Sequence, residues 1–184
     1  MKKVLFFLLI TLFGVFSAQA QRFITKNGYI KFYSDAPLEK IEASNRQVNA
    51  AIDIGTGDFV FKVLMKSFVF AKALMQEDFN ENFVESDKFP EATFIGKVAN
   101  LKEINFSKDG VYEANVKGKL TIHGESKEIE AKGTFEVKQD KLLAKSKFNL
   151  VVDDYKIRIP ITFINKIGKI VEVTVDITMD KLNK

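Results

Sequence analysis

Apolar and polar residues alternate between Tyr112 and Val137, in two successive runs joined by His123-Gly124-Glu125. One face of the first run is apolar and comprises Tyr112, Ala114, Val116, Leu120 and Ile122. The second run repeats the pattern with Ile129, Ala131, Phe135 and Val137. A period of two predicts antiparallel strands with one dry face and one wet face. A mostly β chain of this size must either stack two sheets or close one sheet into a barrel.

Similar alternation elsewhere predicts further strands. The full set lies at residues 29–34, 48–54, 59–65, 93–101, 111–123, 126–137, 142–151, 155–163 and 170–179. Turn signals separate many of them, at 55–58, 108–110, 139–141 and 165–168. No internal repeat or flexible linker divides the chain. We therefore expect one all-β domain, residues 21–184, built from a single antiparallel sheet of about eight strands.

One segment departs from the strand pattern. Its apolar residues recur at spacings of three and four, at Ala71, Leu74, Met75, Phe79 and Phe83. This spacing predicts a short amphipathic helix over residues 71–83, inserted between two strands, and Pro90 prevents its continuation. Such a helix covers one open end of a barrel, or it plugs the core with its apolar stripe.

The first twenty residues have the pattern of a secretory signal peptide. Lys2 and Lys3 precede a short apolar run, and Ala18-Gln19-Ala20 matches the small-x-small site that a signal peptidase reads. The apolar run is too short to span a bilayer. We therefore expect cleavage after Ala20 and a periplasmic or secreted protein that does not span the membrane. The chain has no cysteine, so neither a disulfide nor a cysteine-linked lipid anchor is available to it.

The charge balance argues against a nucleic-acid binder. The chain has 28 basic and 24 acidic residues, and two of the lysines lie in the predicted signal peptide. The remainder has a formal net charge of about +2, with lysines interleaved with acids along strand faces. This distribution is typical of a solvated barrel exterior.

Candidate catalytic and metal-binding residues are few. His123 is the only histidine, and we expect it on the wet face beside a tight turn, hydrogen-bonded locally. No Gly-x-Ser-x-Gly elbow and no phosphate-binding glycine loop is present. The carboxylate pairs Glu85 with Asp87 and Asp153 with Asp154 lack the spacing of a calcium loop. The sequence therefore predicts a protein that is not an enzyme and has neither a metal nor a cofactor.

Several blocks of sequence resemble one known family. They are Ser67-Phe68-Val69-Phe70, Leu74-Met75, Phe79-Asn80-Glu81-Asn82-Phe83, Phe89-Pro90-Glu91-Ala92-Thr93-Phe94, Gly118-Lys119-Leu120-Thr121-Ile122-His123-Gly124-Glu125-Ser126-Lys127 and Ile157-Arg158-Ile159-Pro160. In order and spacing they look like the conserved blocks of the YceI-like polyisoprenoid-binding family. The resemblance implies a periplasmic or secreted, lipocalin-like closed barrel that holds a long isoprenoid or similar amphiphile. Larger members of the family usually have histidines near the first strand, whereas residues 25–32 of this chain contain none. The chain therefore resembles a compact variant, and ligand contacts that other members make in this region are not assigned to it.

The inward face of the predicted barrel mixes large aromatic residues with small ones. Eight strands enclose a space just wide enough for side chains or one slim ligand. We predict that a ligand-binding tunnel is lined by Phe59, Phe61, Val63, Phe94, Tyr112, Ala114, Val116, Gly118, Leu120, Ile122, Phe135, Phe148, Ile159, Phe163, Val173 and Val175. Ala114, Gly118, Ala131, Gly133 and Ala144 are small enough to leave room for the apolar chain of a lipid.

Three functional hypotheses follow. The first is a non-catalytic carrier that holds a polyisoprenoid or similar lipid inside the barrel. The second is a small outer-membrane barrel with its apolar face towards lipid, against which stand the absence of Trp and the presence of only four Tyr. The third is a secreted structural or interaction domain with a packed core. A homodimer is compatible with the sequence, although no residue requires one.

Overall fold

Long antiparallel strands account for most of residues 21–182, the part of the chain that the computed structural model describes. The predicted signal peptide, residues 1–20, lies outside the described residues. The strands are β1 (Arg22–Asp35), β2 (Lys40–Asp53), β3 (Asp58–Leu64), β4 (Val69–Phe70), β5 (Glu91–Val98), β6 (Gly110–Ile122), β7 (Glu125–Lys138), β8 (Lys141–Val151) and β9 (Ile170–Lys181). A short helix, α1 (Ala73–Asp78), lies between β4 and β5 and continues into a π-helical turn, Phe79–Phe83.

Eight of these strands close into a barrel. Their order around the wall is β1-β9-β8-β7-β6-β5-β3-β2, and β2 pairs back with β1. Every neighbouring pair is antiparallel. The remaining strand, β4, is two residues long and pairs with β2 outside this ring. The predicted closed antiparallel barrel of about eight strands with one short inserted helix is confirmed.

The apolar side of the strands faces the interior. Ala114, Leu120 and Phe135 are buried, as the alternation predicts. Lysines and glutamates cover the outside of the same strands and pair across them, for example Lys117 with Glu130 at 3.0 Å. Exposed pairs of this kind contribute little to stability, about 0–1 kcal/mol each, so the interior has to stabilise the fold.

Tight turns join the long strands at both ends. His123 and Gly124 connect β6 to β7, and both have positive φ, +51° and +75°. Positive φ at both central residues is the hairpin geometry whose twist matches the flanking strands. A side chain at Gly124 would also run into the Phe89 ring, so this position excludes larger residues.

One end of the barrel is filled by its own side chains. Four apolar residues with no exposed surface lie there: Ile52 on β2, Leu142 on β8, and Ile177 and Met179 on β9. Phe23 and Val137 complete this solid layer, which we call the closed end. Burying each such side chain is worth about 1.5–3 kcal/mol, so the closed end is the stable base of the fold.

The wall opens towards the other end. Hydrogen-bonded pairing between β7 and β8 stops at Gly133 and Ser146, although both strands continue. Pairing between β2 and β3 ends at Val48 and Val63, one residue before β3 itself ends, and β2 continues towards its short pairing with β4. Because the ladder between these neighbours is interrupted there, we call this half of the barrel the open half.

Polar side chains complete the hydrogen bonding where the strands part. Ser146 Oγ donates to the carbonyl oxygen of Lys132 at 2.7 Å, just beyond the last β7–β8 pair. The buried Asn45 donates from Nδ2 to the Leu64 carbonyl at 2.9 Å, just beyond the last β2–β3 pair. Asn45 Oδ1 also accepts from the backbone N–H of Gln47 at 2.7 Å. These bonds satisfy backbone groups that the separated strands leave without a ladder partner.

Two segments cover the open half. The first is α1 with its π-helical turn, residues 73–83, which confirms the short inserted helix predicted over residues 71–83. The second follows β8 and contains short 3₁₀ turns at Val152–Tyr155 and Ile161–Phe163. The predicted strand at 155–163 is therefore wrong.

The alternation of apolar and polar residues in this second covering segment does not come from sheet pairing. Residues 157–160 are extended but pair with no strand, and Lys156 before them is left-handed with φ +52°. Pro160 has no N–H to donate to a ladder. Ile157 and Ile159 alternate because they point towards the open half of the barrel, so the period of two reflects burial without sheet pairing.

Candidate functional site

The open half of the barrel contains a cavity of about 510 Å³. This volume lies within the range of roughly 300–1,000 Å³ that is typical of small-molecule sites. The cavity extends from the strand walls to the two covering segments, and its lining is almost entirely apolar. A hydrophobic molecule has no polar group that would be buried there without a partner, so the cavity can accommodate it.

Most of the predicted tunnel residues face this cavity. They are Phe59, Phe61, Val63, Phe94, Ala114, Val116, Leu120, Ile122, Phe135, Phe148, Ile159, Phe163, Val173 and Val175. Six different strands and the segment after β8 supply them. The structure thus brings them around one space, while their contact with a ligand stays a prediction.

Tyr112 and Gly118, the other two predicted tunnel residues, lie outside the lining. The Tyr112 hydroxyl donates to the Lys108 carbonyl at 3.0 Å, which holds the ring at the closed end. Gly118 lies opposite Gly96 in the β5–β6 pair, and a Cβ there would overlap the Gly96 Cα and the Ile95 carbonyl oxygen. Gly118 is small because two backbones approach closely, and it opens no space in the tunnel.

Sequence reasoning missed an aromatic cluster at the top of the cavity. The Phe79 ring stacks on Phe32 at a centroid distance of 5.5 Å, and its centroid lies 5.0 Å from that of Phe70 and 5.7 Å from that of Phe68. All four line the cavity. The apolar stripe of the predicted helix already pointed to Phe79, but the pairing of β4 with β2, which presents Phe70, has no local sequence signal.

The two covering segments meet above the cavity. Phe83 of the π-helical turn contacts Phe163 edge to face, with ring centroids 5.4 Å apart. Both rings also line the cavity. Aromatic pairs in this geometry contribute about 0.5–1.5 kcal/mol beyond the area they bury. The cavity is therefore roofed by a contact between two side chains, which can separate without breaking any strand pair.

His123 joins both covering segments to the β6–β7 turn. Its Nε2 lies 2.7 Å from Glu85 Oε2, and its Nδ1 lies 3.2 Å from the Tyr155 carbonyl oxygen. The Phe89 ring packs edge to face against the imidazole at 4.5 Å. The prediction of a local hydrogen bond on the wet face is wrong, because both partners are distant in sequence and the side chain is only 12% exposed.

This contact changes the acidity of Glu85. The hydrogen bond from His123, followed by the nearby charge of Lys88, holds the pKa of the Glu85 carboxyl below its usual value. His123 lies outside the cavity lining, so its role is to connect segments around the mouth. Within residues 21–182, no three His, Asp or Glu side chains gather as a metal site would need.

Charged groups of the cavity are found mainly at its mouth. Lys72 and Glu39 form an ion pair there, with Nζ and Oε1 2.8 Å apart. Tyr155 also lines the cavity and is buried, and its pKa is raised by burial and by the charge of Asp154, so its phenol stays neutral. An apolar interior with charges at the entrance suits a molecule that has a long hydrocarbon part.

No helix among the described residues is long and apolar enough to cross a membrane.

Known families and structures agree with this architecture. The family model described as YceI-like domain matches residues 15–179. No curated protein sequence matches the chain.

Three solved structures share the fold at low sequence identity. A polyisoprenoid binding domain from Saccharophagus degradans, implicated in plant cell wall breakdown, aligns with a TM-score of 0.76 at 13% identity, over 89% of this chain and 99% of that one. Burkholderia cenocepacia BcnA aligns with a TM-score of 0.65 at 12% identity, over 82% and 95%. The YceI protein of Campylobacter jejuni aligns with a TM-score of 0.57 at 15% identity, over 77% and 85%.

At such identities the structures establish the fold alone, whereas the family match extends over nearly the whole chain. It includes the predicted strands, the inserted helix and the covering segment after β8. This chain belongs to the YceI-like family.

Proposed function

We propose that this protein is a non-catalytic carrier that holds one long apolar molecule, a polyisoprenoid or a similar lipid, inside its barrel. The observation that carries the proposal is the cavity of about 510 Å³, closed at one end and lined by apolar side chains. Family membership and the polyisoprenoid binding domain of the same fold support a lipid as the ligand.

The chemistry of the lining favours hydrocarbon over a polar ligand. Burial of each methylene contributes about 0.8 kcal/mol, so a chain of several isoprene units offsets the entropy lost on capture. The aromatic cluster around Phe79 offers flat, polarisable surface to such a chain. Polar recognition is confined to the mouth, where a head group would meet Lys72, Asp78 and Lys166.

The side chains give no support for catalysis. The one histidine connects the β6–β7 turn to Glu85 and Tyr155, outside the cavity lining. A general base must be within hydrogen-bond reach of a bound substrate, and the interior offers mainly hydrocarbon. A role in holding and releasing a lipid needs only the cavity and a movable roof.

We also propose that the carrier acts outside the cytoplasm, in the periplasm or as a secreted protein. The basic start, the short apolar run and Ala18-Gln19-Ala20 support export with cleavage after Ala20. The intact mass of protein recovered from the cell envelope tests this directly, since cleavage removes the first twenty residues.

Native mass spectrometry of protein purified from its own cell envelope without detergent tests the carrier proposal. We expect a bound mass that dissociates as a lipid. Ala114→Trp fills the cavity beside Gly133, its neighbour on β7, and should abolish the bound mass. Val111→Trp on the outer face of the same strand is the matched control, because Val111 is 67% exposed. A wild-type protein that carries no lipid, or an Ala114→Trp variant that retains it fully, would refute the proposal.

A further inference from the structure

Large apolar side chains remain in water around the mouth of the cavity. Ile161 is 84% exposed, Leu38 72%, Leu74 68% and Ile164 51%. We call these four residues the apolar rim. Isolated exposed apolar residues are common, but a group of them beside a cavity mouth marks an interaction surface.

The segments that carry the apolar rim contact one another. The backbone N–H of Leu38 donates to the Asn165 carbonyl at 3.0 Å, which places the β1–β2 turn beside Ile164. The ion pair of Lys72 with Glu39 then connects this turn to the start of α1, which carries Leu74. The apolar rim is therefore one surface, contributed by three segments that also line the cavity.

The covering segment after β8 brings positive charge to this surface. Residues 156–169 contain four basic residues, Lys156, Arg158, Lys166 and Lys169, and no acidic one. Lys156 pairs with Glu125 at 2.7 Å. The other three are exposed and form no ion pair with a carboxylate of residues 21–182. In the strands, seven of the fourteen lysines pair with acids, as Lys147 does with Glu172.

We propose that the apolar rim, together with Arg158, Lys166 and Lys169, docks the cavity mouth on an anionic phospholipid bilayer. The rim side chains enter the boundary between head groups and acyl chains, while the three cations meet lipid phosphates. This inference rests on the proposed function, because docking gives a lipid a route between the bilayer and the cavity.

The covering segment after β8 has apolar side chains on both its inner and its outer side, along the path that a lipid would take. Ile157, Ile159 and Phe163 face the cavity, whereas Ile161 and Ile164 in the same segment face outward. A hydrocarbon chain that moves past this segment meets apolar side chains on both sides. Transfer therefore avoids exposing the chain to bulk water.

Charge favours a bilayer over a second copy of this chain as the partner. Two copies docked rim to rim would bring two sets of the same three unpaired cations together, which costs electrostatic energy. An anionic lipid surface offers complementary charge over the same area. Ionic strength should weaken such docking, since screening reduces the attraction between exposed charges.

Vesicle sedimentation tests the docking. Protein produced from the complete sequence, with its intact mass recorded, is mixed with vesicles of phosphatidylcholine alone or with phosphatidylglycerol added. We expect binding to the anionic vesicles only. Ile161→Ser with Ile164→Ser should weaken this binding roughly tenfold, because two apolar insertions are lost. Val111→Ser, which changes an equally exposed side chain at the opposite end of the barrel, should leave it unchanged.

A charge variant tests the electrostatic part. Arg158→Gln with Lys166→Gln and Lys169→Gln should weaken binding to anionic vesicles by about a hundredfold at low salt, given roughly fivefold per cation. The matched control is Lys102→Gln with Lys108→Gln and Lys138→Gln, which removes the same charge near the closed end. Equal effects of the two triple variants would refute specific docking through the rim.

Further outcomes separate docking from the carrier function. Wild-type protein that carries lipid but ignores anionic vesicles would overturn the docking inference alone. Wild-type protein without lipid that still sediments with these vesicles through the rim would support docking and refute the carrier function. Self-association without vesicles, abolished by Ile161→Ser with Ile164→Ser, would assign the surface to a second copy and overturn docking on a bilayer.

Discussion

The closed end and the open half of the barrel have the same alternation of residues but different interiors. At the closed end Ile52, Leu142 and Met179 are fully buried in the core. In the open half Val116 and Phe148 point inward as well, yet they face a cavity and remain partly exposed. One barrel therefore combines a packed core with a binding space.

Side-chain size does not explain this difference, since many of the phenylalanines lie in the open half. The difference lies in the strand pairing. At the closed end β8 pairs with both of its neighbours, whereas in the open half β7 and β8 are no longer paired beyond Gly133 and β3 ends just after its last pair with Val48 of β2. Separated strands enclose more volume than their side chains fill, and a cavity results.

Leucine truncations in the two regions should give the largest contrast. Leu142→Ala at the closed end should lower the free energy of unfolding by about 2–5 kcal/mol, because it leaves a void in a packed layer. Leu150→Ala, the same change beside the cavity, should cost less than half as much, since Leu150 already faces empty space. Denaturant unfolding measures both values, and equal losses would contradict the contrast between a solid and a hollow region.

Asn45 lies at the boundary between the closed end and the open half, and its removal should have an intermediate effect on the free energy of unfolding. Asn45→Ala leaves the Leu64 carbonyl and the Gln47 N–H without their partner and should cost about 1–3 kcal/mol. Asn149→Ala on the outer face of β8 is the control and should change little. Hydrogen exchange of the amides of β3 should also accelerate, and unchanged exchange there would show that Asn45 does not hold β3 against β2.

The smallest effect should come from the contact between Glu85 and His123. Folding lowers the pKa of Glu85 below the usual carboxyl value of 4.5. The ionised carboxylate therefore stabilises the folded state above pH 4.5, and this stabilisation is lost as the pH falls through the lowered pKa. Glu85→Gln should therefore lower the melting temperature at neutral pH, and its difference from wild type should vanish in acid.

Glu113→Gln, an exposed carboxylate on β6, is the control for this pH dependence. It should show the same melting temperature as wild type at every pH. A difference between Glu85→Gln and wild type that persists unchanged in strong acid would contradict the role of the ionised carboxyl.

The parts of the fold that depend on local periodicity were predictable from the sequence. The alternation of residues 112–137 correctly gave β6, β7 and the turn at His123-Gly124, because its inward apolar positions are buried or half-buried. The helical spacing of Leu74, Phe79 and Phe83 likewise gave the covering helix. Local patterns determine which side of an element is apolar, and this was enough to place most of the cavity lining.

Features that depend on pairing between distant strands were not predictable. Residues 155–163 alternate like a strand, but Pro160 and the left-handed Lys156 keep them out of the sheet. Gly118 looked like a residue that leaves room for a ligand, whereas its size serves the close approach of Gly96. The contact of His123 with Glu85 joins residues 38 positions apart, which no periodicity reveals.

A crystal structure of the protein purified without detergent would show whether a ligand occupies the cavity. We expect continuous elongated density in the open half, between the Phe79 and Phe135 rings, and a closed end filled only by side chains such as Leu142 and Met179. Inward movement of β7 and β8 that closes the cavity around the protein's own phenylalanines, with no density between them, would contradict this expectation.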